Sequence, residues 1–211
     1  MKGRTAVDEM FRTEYNAFGE LLDELSHEDW ALRSLCPDWT VHDVVEHVAF
    51  HIHREGIRQT LGSTEKQTLL LVDRANAQTT SGLVEWFRSP PPAAALRSKV
   101  NVCELVIHQE DVRAVVGRPR TYPESTLEMC LDECTSVAGN INVVGRLRRL
   151  ARGTELRATD LGWTKGKGEK ISGRGQAVLL AIAGRPSMLQ ELTGDGVDLL
   201  RTRLPPEPPL P

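Results

Sequence analysis

CELVIHQEDVR, residues 103–113, decides how this chain is read. The stretch around it, from about Pro92 to Val116, has the pattern of a helix. Proline suits a first helical turn, where its missing N–H has no partner to lose. Gly117 followed by Arg118-Pro119 is a stop signal. Glu104, His108 and Asp111 are spaced i, i+4, i+7, which puts them on one narrow arc of the helix. Val100, Ile107 and Val115 lie in or beside that arc, the side an amphipathic helix normally keeps apolar and buries. An isolated carboxylate there is costly or takes up a proton. The motif therefore needs partners: an arginine, a metal ion, or water in a cleft.

The totals narrow the setting. A chain of 211 residues can build one large domain or two small ones around a real core. Twenty-six basic side chains against 29 acidic ones leave a formal charge of -3, and no segment is dense enough in Lys and Arg to make nucleic acid a main partner. No apolar run approaches the ~20 residues of a transmembrane helix, and MKGRTAVDEM lacks the apolar region of a secretory signal. A cytoplasmic protein is the expectation. The four cysteines, Cys36, Cys103, Cys130 and Cys134, include no CxxC and are expected to be reduced thiols. Cys130 and Cys134 are one helical turn apart, as two small core residues or as half of a metal site.

Helical spacing recurs through the first half. Residues 5–25 carry Val7, Met10, Phe11, Phe18, Leu21, Leu22 and Leu25 at such spacing. A loop follows, SHEDWALRSLCPDWT, and Thr40 with Asp43 three residues on forms an approximate capping box for a second helix over 41–60. A third helix is expected over about 64–88, and the opening motif sits on the fourth. Four helices joined by short to medium loops predict an antiparallel bundle over residues 1–118. Residues 119–204 read as a linking helix and a small α/β part. In it TELRATDLGW and the segment leading to KISG flank a Gly/Lys-rich turn as a hairpin. GQAVLLAIAG is a short apolar helix ended by Gly184, SMLQELTG a further helical turn or two, and VDLLRTRL a last strand. The tail PPEPPLP, residues 205–211, cannot pack as helix or sheet.

Six histidines are present, with His42, His47, His51 and His53 clustered on or beside the second helix. In a bundle, ligands on facing helices converge on the interior. Two imidazoles and a carboxylate suit zinc or a similar divalent ion and leave a position open for water or substrate, the pattern of a catalytic rather than a closed structural site. The bland alternatives are an arginine partner for Glu104 and a hydrogen-bonded core role for His108. Asp111 either orients a ligand from behind or pairs with Arg113 or another basic group. His42 and His53 read as solvated, and the arginine-rich GRLRRLAR segment as a solvated face. On the second helix the apolar centre, Val41, Val44, Val45, Val48 and Ile52, lies nearer His51 than His47, so helical geometry alone favours His51 slightly.

Three motifs in one order, LCPDWTVHDVVEHVAFH, CELVIHQEDVRAVVG and LRATDLGW…ISGRGQAVLLAIAGR…LTGDG, resemble the mycothiol-dependent maleylpyruvate isomerase family, a branch of the DinB-like metalloproteins. The resemblance spans nearly the whole chain. The short gap from His47 to Glu104 makes it closer to metal-binding relatives than to the isomerase itself. It implies a DinB-like four-helix bundle followed by a small α/β domain. It also implies a divalent metal, commonly zinc, held by His47, Glu104 and His108, with His51 kept as the alternative to His47. The thiol cofactor implied is mycothiol, whose thiolate would add to a small electrophilic substrate in an isomerase or S-transferase reaction. Arg185 and, second, Arg113 are the candidates for holding substrate carboxylates. The competing reading is a non-catalytic metal- or ligand-binding module of the same fold.

Overall fold

A computed structural model describes residues 2–36, 38–60, 79–91, 93, 95–136 and 150–204, with side chains described from residue 6 onward and not for 53–60. The chain divides into two units, Met1–Ser34 with Asp38–Pro119, and Leu35–Pro37 with Arg120–Pro211.

The first unit is a four-helix bundle: α1 (Lys2–Asp23), α2 (Val41–Thr60), α3 (Thr80–Arg88) and α4 (Lys99–Arg113). On α1, Val7, Phe11, Phe18, Leu21 and Leu22 are buried as their spacing requires, joined by Tyr15. Phe11, Tyr15, Phe18 and Phe87 form a chain of ring contacts with centroids 5.0–5.6 Å apart, fastening α3 to α1. The Tyr15 hydroxyl reaches the carbonyl oxygens of Trp86 at 2.6 Å and Ser89 at 3.0 Å, groups that the end of α3 leaves without helical partners.

The start of α2 is a capping box. The Thr40 hydroxyl accepts from the Asp43 N–H at 3.2 Å, and the Asp43 carboxylate accepts from the Thr40 N–H at 2.8 Å. The Thr40 side-chain hydroxyl, which donates to this carboxylate, outweighs its partial burial and holds the Asp43 pKa below the usual carboxylate value. Thr40→Ala is expected to lower stability by about 1 kcal/mol, read as a lower urea midpoint at unchanged slope. Val41, Val44, Val45, Val48 and Ile52 form the buried face of α2, as its spacing predicts.

Two boundaries differ from the sequence expectation. The third helix does not run unbroken from 64 to 88: Thr79 has extended backbone and caps α3 by accepting from the Gly82 N–H, while 61–78 lie outside the described residues. The fourth helix does not begin near Pro92. A 3-10 turn, Ala95–Arg97, precedes it, and Ser98, whose side chain accepts from the Asn101 N–H, sets the start at Lys99. The stop is as expected, with Gly117 at φ 69°. Helix α4 is also not amphipathic. Every residue from Asn101 to Val112 is buried, polar ones included, because α4 packs against both α1 and α2.

The second unit holds α5 (Glu124–Thr135), a three-stranded sheet, α6 (Gly175–Ile182) and α7 (Gly196–Arg201). The strands are β1 (Thr154–Ala158), β2 (Trp163–Gly166) and β3 (Glu169–Gly173), in the order β2-β1-β3. The hairpin is not the expected one. Strand β1 pairs antiparallel with β2 across the turn at 159–162, and β3 lies on the other side of β1, parallel to it. The Gly/Lys-rich segment thus crosses the start of β1 instead of joining paired strands. Two glycines permit this crossing: a Cβ on Gly166 would stand 2.3 Å from the Thr154 carbonyl oxygen, and one on Gly168 would stand 2.0 Å from that of Gly153.

VDLLRTRL is not a strand either. Val197, Leu200 and Leu204 are its buried residues, a spacing of three and four that selects helix α7. Among the described residues, a single bridge, Ser172 with Thr193, extends the sheet at that edge. Helix α6 forms as expected and ends at Gly184 with φ 99°. The tail PPEPPLP and most of GRLRRLAR lie outside the described residues, as does the side chain of His53.

Candidate metal centre

Helices α2 and α4 bring three donors together. The Nε2 atom of His47 lies 3.3 Å from Oε2 of Glu104, and Nε2 of His108 lies 3.3 Å from the same oxygen. These three residues form one group whose ligand atoms all fall within 4.8 Å of one another, and His51 is not in it. The His51 ring lies one turn along, 6.1 Å from that of His47. The flank position of His47 therefore does not keep it from the donors on α4.

Burial and charge explain the state of the trio. Burial alone would raise the pKa of Glu104, but hydrogen bonds from His108 and His47 outweigh it and hold the carboxyl well below the usual range. Burial alone would lower the pKa of His108, but hydrogen bonds to Asp111 and Glu104 raise it above its ordinary value. Asp111, fully buried, lies 2.8 Å from His108 Nδ1. It accepts the Nδ1 proton, which turns Nε2 toward Glu104. Nε2 can then meet a carboxylate oxygen favourably only if it carries a second proton or shares a cation with it.

The donor set fits a divalent metal. Tetrahedral coordination with bonds of about 2.0–2.1 Å places ligand atoms about 3.3 Å apart, which is the spacing of both histidine nitrogens from Glu104 Oε2. Asp111 behind His108 is the carboxylate that commonly orients a metal-ligating imidazole. Of the side chains, His108 and Glu104 are each 9% exposed and His47 is 38% exposed, so the open side of the centre is on the His47 side.

Other residues fall elsewhere. The Arg113 guanidinium donates to Gln109 Oε1 at 3.2 Å and to the Ala17 carbonyl at 3.0 Å, tying the end of α4 to α1. Arg185, in the second unit, is buried and donates to the Ala183 carbonyl at 2.5 Å. Cys130 and Cys134 are buried, and neither belongs to a metal-capable group among the described residues. A second such group, His42, Asp43 and Glu46, is more exposed, and its Asp43 already serves the α2 cap.

Two features have no counterpart in the sequence expectations. Glu14 is fully buried, and Gln109 donates to its carbonyl at 2.9 Å. Glu14 lies three residues after Phe11 on the apolar arc of α1, the same signal that exposed Glu104. The other is Trp39, which immediately precedes the α2 cap. Its ring centroid is 4.9 Å from that of His47 and 6.1 Å from that of His108.

Fold and donors together define a DinB-like helical bundle with a two-histidine, one-carboxylate centre. Residues 11–101 match the mycothiol maleylpyruvate isomerase N-terminal domain. That match includes His47 and stops short of Glu104 and His108. Among solved structures, a mycothiol-dependent maleylpyruvate isomerase is similar over 97% of this chain and 95% of its own, at 17% identity and a TM-score of 0.56. A histidine-to-alanine mutant described under the same name is similar over the same shares, at 16% identity and a TM-score of 0.58. These likenesses establish the shared fold. No curated protein matches the chain significantly in sequence. None of the described helices is long and apolar enough to cross a membrane.

Proposed function

We propose that His47, Glu104 and His108 bind one divalent metal ion, zinc in the first instance. We further propose that the protein uses this centre with mycothiol to act on a small electrophile, as an isomerase or S-transferase. The observation that carries the reading is the convergence of two imidazole Nε2 atoms on one ionised carboxylate oxygen, each at 3.3 Å. A bound divalent cation would lower the pKa of a thiol and so favour the nucleophilic thiolate. Glu104 supplies the negative charge of the centre and, with its depressed pKa, is ionised at neutral pH. Asp111 fixes the His108 tautomer by holding the Nδ1 proton. The half-exposed His47 marks the side by which thiol and substrate enter. The setting proposed for this chemistry is a reducing compartment such as the cytoplasm.

Arg185 and Arg113 are the candidates for holding substrate carboxylates. Arg113 is engaged with Gln109 and the Ala17 carbonyl, and that engagement favours a second reading, a binding module of the same fold. Turnover separates the two. Metal-loaded protein, assayed with mycothiol against maleylpyruvate and a panel of activated alkenes and halogenated aromatics, is expected to consume at least one of them in a thiol-dependent manner. Metal binding without thiol-dependent turnover on any of them would select the binding module.

A further inference from the structure

The two histidines of the centre are supported differently. His108 is buried and has a carboxylate, Asp111, on its Nδ1. His47 is 38% exposed in its side chain, and what its ring packs against is aromatic. Trp39 stands on one side, centroids 4.9 Å apart and planes inclined by 57°, and His51 stacks at 6.1 Å and 24°. A half-exposed imidazole without such packing has several rotamers open to it. An indole at this range favours one ring orientation by contact alone.

Trp39 is itself tightly placed. Its carbonyl accepts from the Ser34 N–H at 2.9 Å, and its neighbour Thr40 bridges to Arg33. Asp38, just before it, has φ 68°, a left-handed conformation that a non-glycine residue seldom adopts. Such backbone persists where the surroundings over-determine it, and it clusters at functional sites. The indole also lies nearly parallel to the His108 ring, at 16° and 6.1 Å, so one side chain faces both histidines.

We infer that Trp39 is a positioning residue for the metal centre, holding the His47 ring with Nε2 turned toward Glu104 in the way Asp111 holds His108. The inference rests on the metal reading above and adds to it a residue that is not itself a donor. It predicts that the contribution of Trp39 to metal affinity runs through His47.

The test is cobalt(II) affinity, followed by the visible d–d absorption of the bound ion, in Trp39→Ala, Trp39→Phe and each combined with His47→Ala. Trp39→Ala is expected to weaken binding roughly three- to tenfold, the range of one aromatic contact, while Trp39→Phe stays within about twofold of wild type by keeping a ring in place. In the His47→Ala background, Trp39→Ala should cause no further loss. Wild-type affinity in Trp39→Ala, failure of Trp39→Phe to restore binding, or an equal loss in the His47→Ala background would each overturn the inference. If wild-type protein binds no cobalt, the metal reading itself fails. NMR of the metal-free wild type then decides the remaining point: cross-relaxation between the Trp39 indole and His47 imidazole protons is expected, and its absence overturns the proposed packing whatever the metal does.

Discussion

Glu104→Ala and His108→Ala should each remove most of the divalent-metal affinity, a larger loss than the roughly 10–100-fold expected for Asp111→Asn. The ranking follows from position. Glu104 Oε2 is the atom on which both imidazole nitrogens converge, and His108 Nε2 is one of the two. Asp111 acts one bond further out, on Nδ1. Isothermal titration with zinc would measure the series, and equal affinity in all three variants would remove the donors from the site.

The same geometry gives the affinity a pH dependence. In metal-free protein the His108 pKa is raised by Asp111 and Glu104 against its burial. A ligating imidazole must give up its Nε2 proton, so uptake releases a proton and weakens as pH falls through that raised value. The sign for stability without metal runs two ways. His108, with a raised pKa, contributes stability that is complete below its ordinary 6.5 and lost as pH rises through the folded value. Glu104, with a lowered pKa, contributes stability that is complete above its ordinary 4.5 and lost as pH falls through its folded value. For these two groups both contributions are complete between pH 4.5 and 6.5, and denaturant midpoints of metal-free protein across that range and on either side would show it.

Phe18→Ala has the largest expected effect on folding. Phe18 is fully buried and packs at 5.0 Å on Phe87, so its removal opens a cavity between α1 and α3. Burial of this kind is worth about 3–5 kcal/mol on truncation to alanine. The urea midpoint should fall at an unchanged slope. A change under about 1 kcal/mol would mean the site collapses freely, against the close aromatic packing of Tyr15 and Phe11 alongside.

Much of the bundle is legible in residue order because local chemistry sets it. The Thr40–Asp43 box fixes the start of α2, and its valines fix the buried face. Glu104, His108 and Asp111 announce themselves as polar residues on an arc that ought to be apolar. The choice of His47 over His51 is not a local matter. The apolar centre of α2 points to His51, while the approach of α2 to α4 brings the flank residue to Glu104. The same limit applies to the sheet. Strand segments are visible around the Gly/Lys-rich stretch, but pairing of β3 on the far side of β1 depends on backbone passing within reach of Gly153 and Thr154, which only the folded chain reveals. In VDLLRTRL, a short apolar run fits either period, and burial of Val197, Leu200 and Leu204 selects the helix. Trp39 carries no pattern of its own, because its partners are eight and sixty-nine residues away along the chain.

His47, Glu104 and His108 are proposed to hold one ion between them. A crystal structure of metal-loaded protein, with anomalous scattering recorded at the metal edge, tests this directly. The predicted result is a single strong peak bonded to His47 Nε2, a Glu104 carboxylate oxygen and His108 Nε2. No peak at that point, or a peak bonded to His51 in place of His47, would contradict it.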